Sequence, residues 1–212
     1  MLSRSRQIFF GISALLFAAS AAVTIRWSTM PGMAMRGGMP MPGQDWPGAA
    51  ASFLAMWVAM MAAMMLPSLV PALWRYRQAL SGVNQAHAMR LTALAGAGYF
   101  FVWLLLGIAL FPLGPGLTNL ETRWPELAGA APVAVAAIAM IAGLLQFTPW
   151  KVYHLMCCRG QHGAALAAHR GGAWHYGMRL GLHCSLSSAG PTAILLAVGM
   201  MDLRAMALVT AA

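Results

Sequence analysis

The sequence has very little charge. Only 8% of its 212 residues are Asp, Glu, Lys or Arg, and four acids stand against thirteen basic residues. Soluble domains carry roughly 25% charged residues, and four acids cannot cover the surface of a soluble domain of this length. Because 60% of the residues are also hydrophobic, the composition excludes an ordinary soluble domain and predicts a chain that needs lipid as its solvent.

The sequence also lacks the features of several functional classes. Three cysteines are too few for a disulfide framework, so we expect thiols. The basic residues stand singly between apolar runs, which argues against a nucleic-acid surface. There is no set of nucleophile, base and orienting group and no glycine-rich phosphate loop, so we expect no enzyme. No acid falls inside a predicted span, which argues against a proton-coupled pump.

Apolar runs long enough to cross a bilayer define the predicted fold. A spanning helix needs about 20 mostly apolar residues, and such runs lie at about 8–25, 50–73, 91–113, 128–149 and 180–200. A sixth run begins near residue 203 and stops at Ala212. The sequence therefore predicts an all-α, polytopic transmembrane helix bundle of five or six helices, the last of them truncated or half-length.

Three regions follow from these runs. Residues 1–25 form an N-terminal transmembrane anchor or a signal peptide, because a basic start precedes an apolar stretch that ends in small residues. Residues 26–49 form a loop rich in Met, Pro and Gly, which we expect to be external. Residues 50–212 form the multi-helix membrane domain, with an internal Cys- and His-containing loop at about 150–178.

The distribution of basic residues predicts the orientation. Cytoplasmic segments of membrane proteins are enriched in Lys and Arg. If the N-terminus is cytoplasmic, the external segments contain only Arg26, Arg36, Arg123 and Arg204, and every other basic residue lies inside. We therefore expect a multi-pass protein with a cytoplasmic N-terminus.

Sulfur-containing side chains are the first candidate for chemistry. The external loop contains the stretch MPGMAMRGGMPMPG, and the second run carries Met60, Met61, Met64 and Met65 at helical spacing. Thioethers are soft ligands that suit Cu(I). The alternatives are a low-complexity linker for the loop and ordinary packing for the helical methionines.

Cysteines and histidines form the second candidate. His154, Cys157 and Cys158 stand at i, i+3 and i+4, a spacing that places them on one face of a helix. Cys184, beside His183, lies about one turn into the fifth run, at the same predicted membrane face. Such residues suit a Cu(I) or Zn(II) site. The alternative is that the cysteines act as small hydrophobic residues and the histidines are solvated.

Four segments of the chain carry a resemblance to a known family. They are Trp57 to Pro71 (WVAMMAAMMLPSLVP), Gly98 to Trp103 (GYFFVW), Gly143 to Arg159 (GLLQFTPWKVYHLMCCR) and Gly181 to Arg204 (GLHCSLSSAGPTAILLAVGMMDLR). Together they resemble a bacterial family, the predicted metal-binding integral membrane proteins. The resemblance implies a multi-helix protein of the bacterial inner (plasma) membrane with a metal site built from Met, Cys and His. The residues that match by position are Met60, Met61, Met64, Met65, Cys158 and Cys184.

The chain departs from that family at two positions. Ser187 and Ser188 stand where further cysteines are expected after Cys184. Serine hydroxyls are poor ligands for soft metals, so the departure predicts fewer sulfurs at this site.

Two main hypotheses follow for function. The first is a membrane protein that binds or handles Cu(I) through Met and Cys sulfurs, with the bilayer and a metal chaperone or membrane subunit as partners. The second is a non-catalytic accessory subunit of a membrane complex without bound metal. A thiol redox enzyme is disfavoured, because adjacent Cys157 and Cys158 lack the two-residue spacing of common dithiol motifs.

Overall fold

The chain is helical throughout the part that the structure describes. The structure is a computed structural model that describes residues 2–29, 45–80, 82–112, 123, 125–149, 152–154, 156 and 169–198. Its helices are α1 (Leu2–Thr29), α2 (Trp46–Ala79), α3 (Gln85–Leu110), α4 (Pro125–Gln146), α5 (Arg170–Ser187) and α6 (Ala189–Val198). The predicted all-α class is confirmed at this level.

Three of the described helices are long and apolar enough to cross a membrane, judged by length and composition. They are α1 over Arg6–Arg26, the whole of α2 and the whole of α3, and Ala136–Leu145 in α4 is a shorter apolar stretch. The 34 residues of α2 correspond to about 51 Å of helix, well beyond a hydrocarbon core of roughly 30 Å. The arrangement of five or six spans remains a prediction.

Side-chain caps explain where two of these helices begin. Asp45 precedes α2 in an extended conformation, and its carboxylate accepts a hydrogen bond from the Gly48 amide at 3.3 Å. Asn84 accepts one from the Ala86 amide at 3.1 Å at the start of α3. These bonds satisfy amides that have no partner inside the helix, so α2 and α3 each begin at a defined residue.

The predicted run at 180–200 is divided between two helices. Helix α5 already begins at Arg170 and ends at Ser187, and α6 follows after a turn at Ser188. The early start includes polar residues such as His175 and Arg179. Helix formation requires paired backbone groups rather than apolar side chains, so an apolar run marks only part of this helix.

Glycines bring α3 and α5 into close contact along one seam. An added Cβ at Gly98 would lie 2.6 Å from the Trp174 carbonyl oxygen, and one at Gly181 would lie 2.8 Å from the Tyr99 carbonyl oxygen. An added Cβ at Gly177 would collide with the Ala95 carbonyl oxygen. The two backbones therefore touch directly, as they do where small residues line a helix interface. We call Gly98, Gly177 and Gly181 the glycine seam.

Large side chains from α2 and α3 fill the main core next to this seam. Trp57 and Trp103 are fully buried, and the Trp57 indole N–H donates to the Trp103 carbonyl oxygen at 2.8 Å. Gly107 leaves room for the Trp57 ring, because an added Cβ there would lie 2.6 Å from ring atom Cδ1. Leu180 of α5 packs into the same cluster. The core thus sets the rotation of α2 and α3 toward α5.

Two further contacts complete the described packing. Helix α1 lies against α2, where the rings of Phe9 and Phe10 contact Trp74 at centroid distances of 5.4 and 5.6 Å. Helix α4 packs on α6, where Gly190 approaches Ala142. Helix α5 packs against α3 and is followed directly by α6 after the turn at Ser188, so it connects the α1–α3 group to the α4–α6 pair.

Candidate metal site

Cys184 lies near the end of α5, where this helix faces both α2 and α3. Its sulfur is 3.9 Å from the Met65 sulfur of α2, and the Tyr99 hydroxyl of α3 donates to it at 3.1 Å. Tyr99 itself is buried, and Cys184 is partly buried. Three helices thus place a thiol, a thioether and a phenol around one point.

The two serines that replace the expected cysteines bond the backbone of Cys184. The hydroxyls of Ser187 and Ser188 donate to the Cys184 carbonyl oxygen at 2.8 and 2.7 Å, and the Ser188 amide donates to it at 3.0 Å. The same oxygen accepts all three bonds, and it lies in the last turn of α5. The serines therefore fix the end of α5, and with it the backbone position of the cysteine.

A pair of histidines lies beside the sulfur pair. The Nδ1 atoms of His154 and His183 are 2.9 Å apart, and His154 is only 5% exposed. At this distance one ring donates a proton and the other accepts it. The edge of Tyr153 packs against His154 with ring centroids 5.2 Å apart. His183 directly precedes Cys184 in α5, and because consecutive residues of a helix do not face each other, the imidazole pair and the sulfur pair lie on different sides of this helix.

The methionines of α2 divide into two groups. Met60 and Met61 are 1% and 2% exposed and belong to the main core. Met64 and Met65 are partly buried and pack, together with Cys184, at the edge of that core. The structure thus places Met60 and Met61 inside the main core and the sulfur of Met65 next to the thiol.

Other predicted ligands lie outside the described residues. These are Cys157, Cys158 and the methionines of the external loop. Within the part of the chain that the structure describes, no three His, Cys, Asp or Glu side chains come together as a metal site. The described donors are therefore two pairs, Met65 with Cys184 and His154 with His183.

Sequence reasoning did not single out two features of this site. Tyr99 is the first, and its only signal in the sequence is its place in the GYFFVW segment that carries the family resemblance. The second is the spacing of Gly177 and Gly181 at i and i+4, a pattern typical of close helix contacts in membranes. Both features involve contacts between α3 and α5, and α3 itself carries none of the predicted ligands.

The family comparison covers both pairs. A family model described as a copper chaperone, PpoB2, matches residues 54–212. The chain belongs to the PpoB2 copper chaperone family. The match includes most of α2 and the whole of α3, α4, α5 and α6. No curated protein and no solved structure matches the chain.

Membership in the PpoB2 family supports the copper part of the sequence-based prediction. A copper chaperone family indicates copper handling and a role that is not catalytic. The identity of the ligands is a separate question, which the geometry of the two pairs addresses.

Proposed function

We propose that this PpoB2 protein is a multi-pass membrane copper chaperone that holds Cu(I) between the sulfurs of Met65 and Cys184. The observation that carries the proposal is the 3.9 Å separation of these two atoms, which come from different helices. Thiolate and thioether sulfurs are soft donors that select Cu(I). Copper is the cargo of such a protein rather than a fixed cofactor.

The separation of the sulfurs suits a shared ion. With metal–sulfur distances near 2.3 Å, sulfurs 3.9 Å apart subtend an angle of about 115° at the metal. That angle lies between trigonal and tetrahedral geometry, so neither helix needs to move far for both sulfurs to bind. The thiol must lose its proton first, and the Tyr99 hydroxyl, which donates to the sulfur, stabilises the resulting thiolate.

The neighbouring histidines provide the next donors. Imidazole nitrogen also binds copper, and His183 belongs to the same turn of α5 as Cys184. We propose that His154 and His183 either receive the ion from the sulfur pair or complete its coordination, together with Cys157 or Cys158 from the adjoining segment.

The membrane location has its own support. Helices α1, α2 and α3 are long and apolar enough to span a bilayer, and large apolar side chains such as Leu15, Val133 and Leu144 are exposed. Lipid would cover these surfaces. The distribution of Arg and Lys favours a cytoplasmic N-terminus in the bacterial inner membrane.

Copper content of detergent-purified protein tests the metal part. Protein produced with copper supplied is compared with Cys184→Ser, with Met65→Leu and with the double variant. We expect near-stoichiometric copper in the parent, strong loss in Cys184→Ser and partial loss in Met65→Leu. Met140→Leu is the matched control, because Met140 is 67% exposed on α4.

The outcomes separate the hypotheses. Copper retained in the double variant would show that the sulfur pair is not the site, and a Cys157→Ser, Cys158→Ser variant would then test the adjoining segment. A parent protein that binds no copper and purifies with a partner subunit would favour the metal-free accessory role.

A further inference from the structure

A cleft lies between α1, α2 and α3. It has a volume of about 340 Å³ and is lined by apolar side chains from all three helices, including Ile12, Leu73 and Phe100. This volume lies at the lower end of the range of ligand pockets, roughly 300–1,000 Å³. On α2 the lining extends from Leu66 to Arg77, which corresponds to about 16 Å of helix. The cleft is therefore long and narrow.

Two hydroxyl groups in the lining are satisfied within their own helices. The Ser13 hydroxyl donates to the Phe9 carbonyl oxygen at 2.9 Å, and the Thr92 hydroxyl donates to the Ala88 carbonyl oxygen at 2.7 Å. The walls thus suit an extended hydrocarbon chain better than a polar ligand.

Positive charge is concentrated at one end of the cleft. Arg77 is the charged residue of the lining, and its guanidinium lies 5.8 Å from the ring centroid of Phe9. Arg6 is held in the same way over Phe10, at 5.9 Å. No acidic residue occurs within α1, α2 or α3, so the charged residues of these three helices are all basic.

We propose that this cleft binds an anionic phospholipid, with one acyl chain between the three helices and the phosphate at Arg6 and Arg77. An apolar channel that ends in guanidinium groups matches such a lipid in both shape and charge. The inference rests on the membrane location in the proposed function but not on copper binding, because the cleft contains neither member of the two donor pairs.

Native mass spectrometry of detergent-purified protein tests the inference. The protein is mixed with phosphatidylglycerol or with phosphatidylcholine of the same acyl chains, and the bound fraction is compared. We expect preferential retention of phosphatidylglycerol. Each arginine contributes about a fivefold change in affinity near a membrane surface, so Arg6→Gln with Arg77→Gln should weaken retention on the order of 25-fold.

Control variants keep the result specific. Replacing both arginines by lysine should restore retention, and Arg26→Gln, at the other end of α1, should leave it unchanged. Ala93→Trp, which fills the cleft, should reduce binding of both lipids. Copper content is measured on every variant, so that loss of the fold or of the metal site is seen separately.

Three results would overturn the proposal. One is equal retention of the two lipids by the parent, and another is unchanged retention of phosphatidylglycerol in the double Gln variant. The third is a dimer that Ala93→Trp disrupts while lipid binding persists, since a second copy of the chain would then occupy the cleft.

Discussion

Replacing Gly177 by alanine should force α3 and α5 apart. The new Cβ would collide with the Ala95 carbonyl oxygen and lie 3.0 Å from the Ala95 Cα. Both contacts are with backbone, which cannot rotate away as a flexible side chain can. The helices must therefore separate, and the separation would carry Cys184 away from Tyr99.

The magnitude of this effect follows from two opposing terms. Alanine is favoured over glycine within a helix by about 1 kcal/mol, and overpacking of a tight interface costs about 1–3 kcal/mol. Because the clash at Gly177 involves backbone, we take the upper value, which leaves a net loss of about 2 kcal/mol in the free energy of unfolding. For a chain of this size that corresponds to a fall in Tm of about 4–8 °C.

Thermal unfolding in detergent measures the effect. Gly11→Ala in α1 is the matched control, because nothing lies within 4 Å of the added Cβ, and it should leave Tm unchanged or raise it. Gly177→Ala should also lower copper content if the sulfur pair is the site. A Gly177→Ala protein that melts at or above the parent temperature would show that the two helices are not in backbone contact.

Two other substitutions test individual hydrogen bonds. Trp57→Phe removes the indole donor to the Trp103 carbonyl oxygen and should lower the free energy of unfolding by about 1–2 kcal/mol, measured by thermal unfolding. Trp46→Phe is the control, because Trp46 is 56% exposed, and it should change the free energy little. Equal effects of the two substitutions would refute the assigned bond. Tyr99→Phe removes the donor to the Cys184 sulfur. It should weaken Cu(I) binding about fivefold, measured by competition with a Cu(I) chelator, and slow alkylation of the thiol, measured by maleimide labelling. Unchanged values in both assays would contradict a role for the hydroxyl.

The location of the helices along the chain could be predicted from the sequence better than the residues at which they begin and end. Apolar runs located α1 to α4 because lipid-compatible segments differ sharply in composition from their connections. Helix α5 begins earlier, at Arg170, where polar residues continue the backbone hydrogen bonds. The turn at Ser188 is followed by Gly190 and Pro191, which are typical signals of a helix end, but a reading based on apolar runs passes over them because the residues that follow are apolar.

The candidate site could be predicted only in part. Sulfur and imidazole residues are rare and chemically distinctive, so Met65, Cys184, His154 and His183 could be selected from residue type and position. Their partners depend on how each helix is rotated, and helices that are apolar on all sides give no pattern from which rotation can be read. The contact of Tyr99 with Cys184 required the packed structure.

The glycine seam makes one support of the sulfur pair more rigid than the other. Backbone contact along the seam fixes α5, which carries Cys184, against α3. Met65 stands on α2 just before Pro67 and Pro71, and each proline removes one backbone hydrogen bond from that helix. We therefore expect bending of α2 to change the distance between the two sulfurs more readily than movement of α5 against α3. Uptake and release of an ion would then be movements of the thioether toward and away from a stationary thiol.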